Sequence, residues 1–71
     1  MPKRLSAIGI EKYLLKAGFQ LISQKGSHRK WRNDKTGKQV IVPLHKGKDL
    51  PIGTLLNIVK GSGLDRDYFE L

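Results

Sequence analysis

The chain has 71 residues, room for one domain over 1–71 with one modest core. A chain this size buries only about 60% of its unfolded surface, which argues against a deep, enclosed active site and leaves any chemistry to an open face. It carries no cysteine, no apolar run near the ~20 residues of a membrane span and no signal-peptide core, while Lys and Arg outnumber Asp and Glu 14 to 6 for a formal charge of +8.

In chain order, Ser6 is a plausible side-chain cap for a first helix. Ile10, Tyr13, Leu14 and Ala17 then recur at i, i+3, i+4 and i+7, one apolar stripe. Gly9 weakens the first turn, Gly18 supplies a left-handed stop, and Phe19 folds back as its apolar partner. From Phe19 the period changes. "FQLISQK" alternates roughly, and "HRKWRN" and "KQVIVP" follow as a hairpin around "DKTG", with Gly37 at positive φ. Pro43 ends the last strand, and "LHKGKD" is a loop. A second helix begins near Pro51, with Ile52, Leu55, Leu56 and Val59 as its stripe and Gly61 and Gly63 as its stop. Asp65 is placed to cap a last short turn, from which Tyr68 and Phe69 pack back. Helix, three strands and helix predict an α+β two-layer sandwich, with helices covering one face of a meander.

The charge is uneven. Eight basic residues lie between Lys25 and Lys48 with a single acid, Asp34, among them, while Asp65, Asp67 and Glu70 gather at the end. That pattern fits a binder of nucleic acid or of an acidic protein. A DNA-reading protein is disfavoured, because no helix is basic enough for a major groove. The strand period puts Arg29 and Asn33 on the side of Trp31, and His28, Lys30 and Arg32 on the other. If Trp31 faces the helices, His28 stands on the open face among cations, and Arg29 must snorkel outward from a strand end.

Histidine is the side chain best matched to proton transfer near neutral pH. RNA carries its own nucleophile in the 2′-hydroxyl, so a base, an acid and positive charge for the phosphorane suffice to cleave it. His28 with Lys25, Lys30 and Arg32 meets that list. The plainer reading is that a lone histidine on a basic strand is polar surface, that Ser27 turns the chain, and that Trp31 is core. Two histidines without clustered carboxylates or cysteines make a poor metal site, and "KGKD" lacks the glycine spacing of a phosphate loop.

"LLKAGFQLISQKGSHRKWRN" followed by "VIVPLHKGKDLPIGTLLNIVKGSGL" closely resembles the HicA (YcfA-like) family of bacterial toxins. The shared features are Gly18-Phe19, Gly26-Ser27-His28, Val42-Pro43, the basic loop His45 to Lys48, Gly53-Thr54-Leu55, and Gly63, Leu64 and Phe69 near the end. The resemblance runs from about Ser6 to Leu71. Arg29-Lys30 stand where many members carry a second histidine or an apolar residue. The resemblance implies a fold like the double-stranded-RNA-binding domain and cleavage of mRNA without a cofactor. It also implies neutralisation by a HicB-like antitoxin, while the lack of cysteine suits a reducing cytoplasm. It maps the essential histidine onto His28 and reads Gly53 as permitting close approach of helix and sheet. Lys25, Ser27, Arg29, Lys30, Arg32, Lys46 and Lys48 are then the expected RNA contacts, with His45 as a possible auxiliary. The alternative is a non-catalytic RNA-binding module of the same fold.

Overall fold

The Ser6 hydroxyl accepts the Gly9 N–H at 3.0 Å and so opens helix α1, Ala7–Lys16, as the sequence predicts. A Cβ on Gly9 would lie 3.3 Å from that hydroxyl and 3.5 Å from Leu5 Cδ2, so the residue that weakens the turn by propensity also lets the cap close. Residues 4–71 are described by the computed structural model; residues 1–3 of the expected domain lie outside them. The helix ends where Gly18 takes φ +98° and donates its N–H to Leu15 O at 3.1 Å. Phe19 follows directly into the core, 2% exposed.

Three strands, β1 (Phe19–Lys25), β2 (His28–Asn33) and β3 (Gln39–Pro43), form an antiparallel sheet in the order β1-β2-β3. Gly26 and Ser27 join the first pair, with Gly26 at φ +59°. Positive φ at only the first central residue is the pattern of a type II′ turn, whose twist suits a two-residue hairpin. The second hairpin closes through Gly37, at φ +76°, whose N–H reaches Asn33 O at 2.8 Å. Asn33 itself is buried. Its side-chain oxygen accepts the Lys35 N–H and its amide donates to Ala17 O, stitching this turn to the end of α1.

Helix α2, Ile52–Ser62, ends at Gly63 in the left-handed conformation. Of the two glycines expected to stop it, Gly63 does so and Gly61 lies within the helix. Leu55, Ile58, Val59 and Ser62 form its buried face, while Leu56 is half-buried. The reason is the helix's crossing point. A Cβ on Gly61 would sit 3.2 Å from Val40 Cγ1, so helix and sheet approach closely here. Gly53, expected to provide that approach, has open space around it. Gly53→Ala should therefore raise stability by about 0.5 kcal/mol, through a less flexible unfolded chain. Gly61→Ala should lower it by about 1 kcal/mol, because buried, β-branched Val40 has little room to give. Urea unfolding of both variants checks this; equal stabilisation would mean that no close approach exists at Gly61.

A final 3₁₀ turn, Arg66–Phe69, folds back on α1 as the sequence predicts. Phe69 is fully buried, Tyr68 donates its hydroxyl to Tyr13 O at 2.7 Å, and the Tyr13 hydroxyl meets Glu70. The rings of Tyr13, Tyr68 and Phe69 lie 5.1–5.8 Å apart, in tilted and edge-on contacts. Asp65 stands at the cap position, but its side chain makes no cap bond; its backbone carbonyl receives the Tyr68 N–H instead. Leu50, in the loop before α2, is fully buried and anchored by its N–H to Leu5 O at 2.8 Å. The whole is an α+β two-layer sandwich, α-β-β-β-α, laid out like a double-stranded-RNA-binding domain. The slab is 17 Å thick between its Cα extremes, which leaves room for helices on one sheet face only.

Candidate nucleic-acid interface

Trp31, Val40 and Val42 face the helices and are buried, so their strand neighbours define the open face. Strand pairing arranges that face in rows. Lys25, His28 and Pro43 stand opposite one another, then Ser23, Lys30 and Ile41, then Gln20, Arg32 and Gln39. His28 is exposed and Lys30 half-buried beside it. Ser23, Lys25, His28, Lys30 and Ile41 together line an open cleft of about 400 Å³.

Lys25 reaches this face because of an irregularity. Strict alternation from buried Phe19 would put Lys25 on the helix side, away from His28. The pairing instead steps from Leu21↔Trp31 to Ser23↔Lys30, a β-bulge with Ile22 as the extra residue. The bulge reverses the parity of everything after it, and Lys25 comes to stand opposite His28.

The other expected contacts are divided. Arg32 is on the His28 face but is held 3.2 Å from Asp34 in an exposed ion pair. Arg29 is on the helix side, and it does not snorkel freely into solvent. Its Nε lies 2.9 Å from Glu11 Oε2, though the N–H is not aimed at that oxygen, so the contact is an ion pair without a directed hydrogen bond. The same Glu11 oxygen accepts the Trp31 indole N–H at 2.8 Å. Arg29 lines a second cavity of about 530 Å³ with His45, Lys46 and Lys48, by the start of α1. Ser27, exposed in the turn, ties this loop to the strand end by accepting the Leu44 N–H at 2.7 Å. The structure thus groups Lys25, His28, Lys30 and Arg32 on one side, and Arg29, His45, Lys46 and Lys48 on the other. The two histidines line different cavities. Among the described residues, no three His, Cys, Asp or Glu side chains gather into a metal-holding group.

Sequence reasoning missed what lies on the far side of His28. A groove of about 630 Å³ wraps the free edge of β3 and runs to α2, with His28 and Lys30 on its sheet side and Thr54, Asn57, Ile58 and Gly61 along its helical wall. Thr54, Ile58 and Gly61 fall at i, i+4 and i+7, so a helical pattern marks them, but the stripe reading gave that role to the core alone. No carboxylate lines this groove or the smaller cleft. An anion entering beside His28 meets lysines, neutral polar groups and apolar surface. Chemically, the arrangement offers one side chain suited to proton transfer, two adjacent ammonium groups and no competing negative charge.

No helix among the described residues is long and apolar enough to cross a membrane. No curated protein matches the chain as a relative. The family model for the HicA toxin of bacterial toxin–antitoxin systems matches residues 10–64, a span that takes in α1 from Ile10, the whole sheet, the basic loop and α2. With well over half of its length so matched, this chain belongs to the HicA toxin family.

Proposed function

We propose that the protein is the toxin of a type II pair and acts as a metal-independent endoribonuclease on mRNA, held in check by a HicB-like antitoxin. The observation that carries this reading is His28. It stands exposed on the open sheet face, between Lys25 and Lys30, with no carboxylate in either cavity it lines. In the reaction, His28 takes the proton of a 2′-hydroxyl as that oxygen attacks the adjacent phosphorus. The bond from phosphorus to the 5′-oxygen breaks, and the leaving oxygen collects a proton from a nearby ammonium group or from water. Lys25 and Lys30 offset the charge that builds on the phosphorane. The products are a 2′,3′-cyclic phosphate and a 5′-hydroxyl. The same cations suit an acidic antitoxin surface, whose approach they would accelerate.

The test is cleavage of a defined RNA in excess chelator, with analysis of both new ends. Cyclic or 3′-phosphate ends and undiminished rate are expected, and a single 2′-deoxy residue at the cut site should block that cut. Loss of activity in chelator, or 3′-hydroxyl ends, would replace this reading with a metal-activated water.

A further inference from the structure

We infer that the groove between β3 and α2 holds one unpaired base of the RNA strand cut at His28, with Asn57 reading that base's edge; the inference rests on the reading of the protein as a ribonuclease. The groove is continuous with the site, because His28 and Lys30 line both it and the smaller cleft. A phosphate seated at His28 therefore has its neighbouring nucleoside at the groove's mouth.

The lining is graded in the way a nucleotide is. Among the described residues its one cation is Lys30, a single row of the sheet away from His28. Elsewhere the lining is uncharged, with Val40 and Ile58 nearly buried as an apolar floor, Ile41, 52% exposed, as a ledge on the sheet, and Gln39, Thr54 and Asn57 as neutral polar groups. That gradient fits a base, which needs a flat apolar contact, rather than a second phosphate, which needs charge. Asn57 is exposed on α2, and no described residue takes or gives a hydrogen bond to its amide. An amide presents a donor beside an acceptor, the pattern that pairs with a base edge. Gly61, tight against Val40, leaves the far end of the wall without a side chain.

The occupant must be unpaired. A base in a duplex has its edge paired and its faces stacked, and cannot turn into a groove around a strand edge. A-form backbone also holds the 2′-oxygen off the line of attack on phosphorus, so splaying the base out serves the chemistry as well as the reading. Duplex RNA should accordingly be a poor substrate, despite the likeness of the fold to duplex-binding domains.

The experiment measures binding and cutting separately. Binding uses the His28→Ala protein, with and without Asn57→Leu, against single-stranded oligomers of A, C or U and against a mixed-sequence duplex. The single mutant should prefer its best oligomer over its worst by about tenfold, the worth of one amide–base pair, and Asn57→Leu should shrink that spread to about twofold. Cutting compares the parent with Asn57→Leu, whose cut sites should spread over more bases; Asn57→Ala, which adds no bulk, should do the same. Base preference that depends on Asn57 in a parent unable to cut would sink the catalytic reading and leave the groove assignment standing. Cutting with a base preference untouched at Asn57, or equal affinity for duplex and single strand, would overturn the groove assignment alone. So would Asn57 variants that lose antitoxin binding while base preference is kept, since the groove would then be a protein-docking surface.

Discussion

Replacing His28 with alanine is expected to cut the rate of RNA cleavage by about 10²–10⁴-fold, the usual worth of a positioned general acid or base. Growth arrest on expression should disappear with it. The fold should be indifferent to the change. His28 is exposed, and its strand pairs to Lys25 and Pro43 through backbone. A change in unfolding free energy within about 0.5 kcal/mol is the expectation for such a surface site. The two measurements, turnover on a defined RNA and urea unfolding, separate a catalytic loss from a structural one. A purified variant that keeps more than a few per cent of parental turnover would show that His28 is not the proton carrier. Attention would then pass to Lys25 and Lys30, the other titratable groups in the cleft. Loss of activity together with stability would mean that His28 holds the strand, not the proton.

Much of the layout was legible because local signals agreed with one another. Ser6, Gly18, Gly37 and Gly63 mark turns and caps by chemistry that short sequence carries, and all four do so in the structure. The alternation of β2 placed His28 and Lys30 opposite Trp31 correctly, since a strand without irregularity keeps its parity. Lys25 was also expected beside His28, but for its charge and not from the register of β1. One extra residue, Ile22, decides which face Lys25 occupies, and nothing in "FQLISQK" announces a bulge. Arg29 was expected outward because its buried counter-ion was not foreseen. Glu11 lies next to the apolar stripe of α1, and a periodic reading treats a charged residue there as solvent-facing. Gly53 and Gly61 were confused for a related reason: helical glycines look alike in sequence, and only the crossing of α2 over Val40 tells them apart.

Glu11→Ala should be among the most destabilising single changes in the chain. Glu11 is 5% exposed, and its carboxylate serves two partners, the Trp31 indole N–H at 2.8 Å and the Arg29 guanidinium at 2.9 Å. Truncation leaves the indole N–H buried without an acceptor, at a cost of about 1–3 kcal/mol. It also strips Arg29 of its counter-ion, a smaller penalty because that side chain is 24% exposed and water screens it. The total, roughly 3 kcal/mol, is a large part of the roughly 4–10 kcal/mol expected for a domain of this length. The melting temperature should fall by roughly 15 °C. Glu11→Gln keeps an acceptor for the indole and should lose only about 1 kcal/mol. Arg29→Leu in the Glu11→Ala background should recover part of the loss, because removing both charges leaves neither stranded. The pair also bears on the site, since Arg29 follows His28 directly and the two side chains leave β2 on opposite faces. Anchoring one fixes the strand that presents the other. A double-mutant cycle read by thermal melts decides the matter: additive losses would show that Glu11 and Arg29 do not act as a pair, and that the indole bond alone holds β2 to α1.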